Sequence, residues 1–193
     1  MRTSRLESFS DGFLSICITI MVLELEAPRG TQLEELRALV PGILSYVLSF
    51  ITIGTYWNNH HHLVHAVRSV DGRALWANLH LLFWLSLISF STRWMVLTRF
   101  TSLSVAAYGL VLFMAAVAFV ILARCLAAPR DGSAANPRRP AGGAKEYLTL
   151  GLYAAALALA FVLPPLSLGI YALVTVLWII PGTGGGRPES GAD

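Results

Sequence analysis

Apolar residues run along the chain in six long stretches, separated by shorter segments that hold most of the charged residues. A membrane-spanning helix needs about 20 mostly apolar residues, and the stretches meet or approach that length. The pattern predicts six transmembrane helices, over residues 5–26, 33–60, 73–98, 102–127, 145–163 and 165–181. The expected fold is an all-α integral membrane protein in which residues 1–181 form one domain.

The last two predicted helices are short and abut at Pro164 and Pro165. They are either two true spans or one re-entrant hairpin. Two spans are favoured, because proline is tolerated in the first turn of a helix. The segment 129–144 then becomes a cytoplasmic linker, and residues 182–193 are expected to form a disordered tail.

Composition agrees with a membrane protein and argues against other classes. Hydrophobic residues make up 55% of the chain and charged residues 13%, whereas soluble domains carry about 25% charged residues. No Walker, dinucleotide-binding or nucleophile-elbow motif is present, so neither an enzyme nor an ATP-driven pump is expected, and no cofactor. The net charge of +3 reflects the placement of arginines and gives no separate reason to expect nucleic acid as a partner.

The arginines and lysines predict the orientation in the membrane. With the N-terminus inside, four of them fall outside and the other ten face the cytoplasm; the four are Arg29, Arg37, Arg93 and Arg99. Basic residues concentrate in cytoplasmic loops, so both termini are expected in the cytoplasm.

The first helix carries a polar head and an apolar stripe. Asp11 lies in it, and a carboxylate at the bilayer centre costs about 2.5–3.5 kcal/mol on insertion scales, which makes it a functional candidate. Further along, apolar and hydroxyl residues recur at i, i+3, i+4 and i+7, which places them on one helix face: Ile16, Thr19, Ile20 and Leu23. Taken alone, the spacing of this stripe favours ordinary helix packing over the lining of a pore, and only the adjacent polar motif changes that balance.

The polar head reads R-x-x-x-F-S-D-G and consists of Arg5, Phe9, Ser10, Asp11 and Gly12. With this motif the chain resembles bacterial relatives of the endolysosomal potassium channel called transmembrane protein 175. The resemblance implies a homotetramer in the bacterial plasma membrane, with helix one of each subunit lining a central pore and lipid around it. Potassium would be the permeant ion, with a modest preference over sodium, and it would pass through an apolar constriction.

The resemblance also implies roles for individual residues. Ile16 would form the bottleneck, Thr19 would offer a hydroxyl to the ion, and Ile20 and Leu23 would continue the narrow section. A second match, at the end of the second helix, brings in Trp57 and His60, with Asn78 as a polar companion. These three residues would form a network around the motif and hold helix one in position.

Spacing gives the network a physical reason. Arg5 and Asp11 are six residues apart and do not share a helix face, so each needs a partner on another helix, which His60 or Asn78 can supply. Glu7 is assigned locally instead, because Ser4 and Glu7 match the capping box of a helix N-terminus, as do Thr31 and Glu34.

Three other interpretations stay open at this stage. His61 and His65 share a helix face and could bind zinc, but structural zinc wants four ligands and neither cysteine is placed to help, so no metal site is predicted. Asp11 and His60 could form the relay of a proton-coupled secondary transporter. The protein could also be a membrane scaffold that transports nothing.

Overall fold

The computed structural model of the protein describes residues 3–28, 30–67, 70–128 and 143–179. These residues form six helices, which confirms the predicted all-α fold: α1 Thr3–Leu23, α2 Leu33–His65, α3 Gly72–Leu97, α4 Ser102–Ala127, α5 Ala144–Leu159 and α6 Pro164–Ile179. The predicted tail and nearly all of the predicted linker lie outside the described residues.

Four of the helices, α1 to α4, are long and apolar enough to cross a membrane by length and composition. Helices α5 and α6 have 16 residues each, which is about 24 Å at 1.5 Å per residue. The hydrocarbon core is about 30 Å thick, so neither helix crosses it at full thickness without help from its flanking residues. They pack on each other, which fits both the two-span and the hairpin interpretation.

Helix α2 is continuous over 33 residues although Pro41 lies inside it. Its N-cap is Gln32, which makes no side-chain cap hydrogen bond, so the capping box predicted at Thr31 and Glu34 is wrong. The capping element that the structure does show is at α3, where the Asp71 side chain accepts a hydrogen bond from the backbone N–H of Ala74 at 2.9 Å.

Helices α3 and α4 form the centre of the bundle. Within the most apolar stretch of α4, 67% of the residues are buried, against 28% in α1 and in α2. Helix α1 contacts α2 and α3, while α5 and α6 cover the other side of α4. One face of α1 and one face of α2 are therefore left for lipid or for other copies of the chain.

Small hydroxyl groups link the helices inside this apolar core. Ser49 on α2 bonds to Thr92 on α3 at 2.7 Å and to Tyr108 on α4 at 3.0 Å. Thr52 bonds to Thr175 on α6 at 2.9 Å. In lipid, where helices gain little from the hydrophobic effect, such bonds and close packing hold a bundle together. They fix α2, against which α1 is placed.

Helix α4 lies close to Tyr171 of α6 at Gly109. A Cβ at this position would overlap the hydroxyl of Tyr171 and come within 2.6 Å of its Cζ, and the ring of Tyr171 is fully buried. We expect Gly109→Ala to destabilise the protein by about 1–3 kcal/mol, the usual effect of overpacking a core. Thermal unfolding in detergent measures this as a lower Tm.

Gly54→Ala on α2 is the matched control, because a Cβ at Gly54 meets no atom within 4 Å. Alanine favours a helix over glycine by about 1 kcal/mol, so this variant should be neutral or more stable. Adding Tyr171→Phe to Gly109→Ala removes the nearest atom and should recover part of the loss. Equal Tm values for Gly109→Ala and Gly54→Ala would contradict the close approach of Tyr171 to Gly109.

Candidate functional site

Helix α1 has two distinct faces. Its buried face consists of five residues spaced three or four apart, which pack toward α2 and α3: Leu6, Ser10, Leu14, Cys17 and Met21. The opposite face is uncovered. It contains the predicted pore-lining residues, of which Ile16 is 59% exposed, Ile20 48% and Leu23 82%, and Thr19 is exposed as well. The apolar stripe is thus not used for packing among the residues that the structure describes.

Phe9 and Gly12 continue the uncovered stripe toward the start of α1. Phe9 is 53% exposed, and a Cβ at Gly12 would meet no atom within 4 Å. These two residues of the sequence motif therefore lie on the free face and are not in contact with the polar network. The uncovered face runs from Phe9 to Leu23, about 21 Å along the helix at 1.5 Å per residue.

The hydroxyl of Thr19 is oriented by its own helix. It donates to the backbone carbonyl of Ser15 at 3.0 Å or of Ile16 at 2.9 Å. A hydroxyl has one proton and two acceptor lone pairs. Because the proton is used by the backbone, the oxygen presents lone pairs on the uncovered face, which suits contact with a cation rather than an anion.

A chain of hydrogen bonds crosses three helices behind the stripe. Ser10 on α1 donates to the carbonyl of Leu6 at 2.9 Å and accepts from Asn78 Nδ2 on α3 at 3.0 Å. The other end of that amide, Asn78 Oδ1, lies 2.8 Å from His60 Nε2 on α2. All three side chains are almost completely buried.

The donors and acceptors of this chain fix one another. Since the Ser10 proton goes to Leu6, Asn78 must donate to Ser10 and accept from His60, so the imidazole carries its proton on Nε2. His60 Nδ1 is then a buried acceptor, and within the described residues it has no partner. The network holds one amide orientation and one histidine tautomer.

Two neighbouring carboxylates of α1 bond to α2. Asp11 Oδ1 accepts from the indole N–H of Trp57 at 2.9 Å. Glu7 Oε1 lies 2.8 Å from both His61 Nδ1 and His65 Nε2. The polar bonds of Glu7, Ser10 and Asp11 therefore fall within little more than one turn of α1, and they attach that turn to α2 and α3.

The structure brings together most, but not all, of the residues that the sequence motif singled out. Ser10, Asp11, Trp57, His60 and Asn78 share one cluster. Arg5 is exposed at the start of α1 and makes no side-chain hydrogen bond or ion pair with the described part of the chain. The partner of Asp11 is Trp57, neither His60 nor Asn78.

Glu7 is the functional candidate that sequence reasoning missed. Its match to a capping box hid the signal, which was its spacing of three and four residues from Ser10 and Asp11. Its carboxylate reaches across to α2 instead.

The fold and the site define a class: a helical membrane protein with several spans, in which one helix is tied down at one end and presents an uncovered apolar face. Comparison with known proteins gives the family. A family model described as endosomal/lysosomal potassium channel TMEM175 matches residues 5–88, which contain the polar motif, the stripe and the network. The chain belongs to the TMEM175 family.

Individual relatives extend this likeness over nearly the whole chain. A potassium channel of Chryseobacterium sp. (strain P1-3) is 44% identical over 181 residues, 94% of this chain and 94% of the relative. A potassium channel of Streptomyces collinus is 31% identical, with 91% of each chain covered. The crystal structure of a lysosomal potassium-selective channel TMEM175 homologue from Chamaesiphon minutus matches with a TM-score of 0.77 at 27% identity, covering 92% of this chain and 96% of that one. The family consists of channels, which confirms that the protein is not an enzyme.

Proposed function

We propose that the protein conducts potassium passively through a pore that forms when several copies arrange the uncovered face of α1 around one axis. The observation that carries the proposal is this face itself, an apolar stripe from Phe9 to Leu23 that the chain leaves unpacked while it ties down the helix behind it. The names of the Chryseobacterium and Streptomyces relatives, which match over nearly the whole chain, support potassium as the ion.

Ile16 is the proposed narrowest point. A ring of isoleucine side chains excludes water from a narrow passage, and such a constriction opens by widening or by becoming wet. Ile20 and Leu23 continue the apolar section. No T-V-G-Y-G sequence is present, so selectivity cannot come from a filter of backbone carbonyls of that type.

Thr19 is the proposed source of a modest preference for potassium over sodium. It lies on the same face as Ile16 and directs its oxygen lone pairs outward, as its hydrogen bonds to α1 require. One layer of hydroxyl oxygens replaces little of an ion's hydration shell, so the preference stays small.

Four copies are the proposed assembly. One chain cannot enclose a pore with a single uncovered stripe, whereas a closed ring with cyclic symmetry gives every copy the same interface. We place the tetramer in a bacterial plasma membrane, surrounded by lipid, with both termini in the cytoplasm. Native mass spectrometry of the protein released from detergent measures the number of copies.

The bonding of Asp11 and His60 favours a structural role for these two residues over a proton relay. Asp11 bonds to Trp57 and His60 bonds to Asn78, so the two titratable groups lie in separate hydrogen bonds. A relay for a proton-coupled transporter needs them to exchange a proton, directly or through groups that carry one. The indole N–H and the amide of Asn78 are poor carriers.

The test is flux from vesicles that contain the purified protein. Potassium should leave down its gradient without any proton gradient, sodium should leave more slowly, and a large organic cation such as N-methylglucamine should be retained. If potassium moves only when a proton gradient is present, the transporter interpretation replaces the channel. If all three ions leave at the rates measured for vesicles without protein, the non-transporting membrane scaffold is favoured.

A further inference from the structure

Three metal-ligating side chains converge at the end of the bundle where α1 begins and α2 ends. Glu7 lies on α1, while His61 and His65 lie one turn apart on α2. Their ligand atoms all lie within 4.8 Å of one another, and Glu7 Oε1 is 2.8 Å from each histidine nitrogen. The two imidazole rings are also in edge-type contact, with centroids 4.2 Å apart and planes inclined at 63°.

We propose that Glu7, His61 and His65 form a binding site for a transition-metal ion, with Zn²⁺ as the ion it takes. Two imidazole nitrogens and one carboxylate oxygen, with water at a fourth position, are a ligand set that zinc uses. Hard ions such as Mg²⁺ and Ca²⁺ prefer oxygen ligands throughout, so the two histidines select against them.

The present geometry needs little change to accept the ion. Zinc bonds of about 2.0–2.1 Å at tetrahedral angles put neighbouring ligand atoms about 3.3 Å apart. The carboxylate oxygen therefore moves away from each nitrogen by about half an ångström, and the two nitrogens, which lie within 4.8 Å of each other, adjust to the same spacing. Side-chain rotation supplies both changes. Histidines at i and i+4 on one helix face are already spaced to share a zinc ion.

Access from water is open. The side chain of His65 is 59% exposed, that of His61 40% and that of Glu7 18%, so an ion reaches the ligands from the aqueous side while the carboxylate stays sheltered. The alternative use of the same geometry is a carboxylate oxygen that accepts a hydrogen bond from each of the two imidazoles. The two uses differ in whether they bind a metal, and binding is what the experiment measures.

The bound ion would join α1 to α2. The site lies within little more than one turn of the Asp11–Trp57 bond, which also joins α1 to α2, and of the Ser10–Asn78 bond, which joins α1 to α3. The metal thus adds a further link at the same end of α1. It should therefore raise the Tm of the whole protein, because an ion that binds only the folded state stabilises it. This expectation holds whether or not the protein conducts ions.

The experiment uses the full chain in detergent, purified without a polyhistidine tag. Equilibrium dialysis against Zn²⁺ should give one ion per chain. Co²⁺ in its place should give the strong visible absorption of a tetrahedral site. Zn²⁺ should raise the Tm by several degrees, and Mg²⁺ at the same concentration should leave it unchanged.

Variants locate the site. His65→Asn removes the most exposed ligand, and Glu7→Gln removes the only carboxylate; each should weaken zinc binding at least about tenfold, since changing even an outer neighbour of a ligand often costs that much. His62→Asn is the control, because His62 is on the same helix turn and exposed but is not one of the three ligands.

If His62→Asn weakens binding as much as His65→Asn, or if the wild type binds no zinc, the proposal is wrong. A melting curve of each variant without metal shows that it is folded. Should Glu7→Gln fail this check, His65→Asn, whose side chain is largely in solvent, decides the outcome alone.

Discussion

Replacing Ile16 by asparagine should raise potassium flux through the protein about tenfold and weaken its discrimination against sodium. An apolar ring opposes the ion because it offers nothing in exchange for hydration water. An asparagine amide at position 16 of each copy lowers the free energy of wetting the constriction. Each 1.36 kcal/mol removed from the free-energy barrier speeds ion passage about tenfold. Vesicle flux measured for both ions, at equal amounts of reconstituted protein, gives the comparison.

Val22→Asn is the matched control for this prediction. Val22 lies on the same helix and is 45% exposed, but six residues at 100° each place it about 120° around the helix from Ile16. It should therefore leave flux close to the wild-type value. Similar flux from both variants would remove Ile16 from the proposed pore, and unchanged flux in Ile16→Asn would place the narrow point elsewhere.

Replacing Asn78 by leucine should lower the free energy of unfolding by about 2–3 kcal/mol. The change removes two hydrogen bonds and leaves the Ser10 hydroxyl oxygen and His60 Nε2 without their α3 partner in a buried place. Unpaired buried groups cost about 1–3 kcal/mol each, although measured values in membrane proteins are at the low end. Thermal unfolding of the purified protein gives the change in stability.

Asn59→Leu is the control for the network. Asn59 is half-buried on α2 and donates to the carbonyl of Thr55 in its own helix, so its loss breaks no link between helices. The Asn78 variant should also lose potassium flux, because α1 loses its hydrogen bond to α3 at Ser10, whereas the Asn59 variant should keep its flux. Equal effects of the two substitutions on stability would show that the three-helix chain contributes little.

The sequence predicted the helices well because their signal is local. Each run of apolar residues predicts one helix without reference to the rest of the chain. The six observed helices begin within two residues of the predicted starts. The C-terminal ends are less well predicted. Helix α2 continues to His65 through a polar run that resembles a helix end, and α5 stops at Leu159 although the apolar run continues.

The candidate site was predictable only in part, because spacing assigns residues to faces but does not say which helix lies opposite. The helical spacing of its residues alone was enough to predict the stripe of α1. That Asp11 bonds to Trp57, and that Glu7 bonds to two histidines, depends on how α2 is rotated against α1. The sequence offered several polar partners for each carboxylate, and only the packed bundle selects among them.

The anchoring of α1 makes it a cantilever. Its polar bonds lie at Glu7, Ser10 and Asp11, and beyond them the helix is held by apolar packing and one long hydrogen bond, from Ser89 Oγ to the carbonyl of Cys17 at 3.4 Å. Ile16 is about 7.5 Å from the last anchor and Leu23 about 18 Å, at 1.5 Å per residue. Because the free end of a cantilever moves most, the polar anchor fixes the position of Ile16 more closely than that of Leu23.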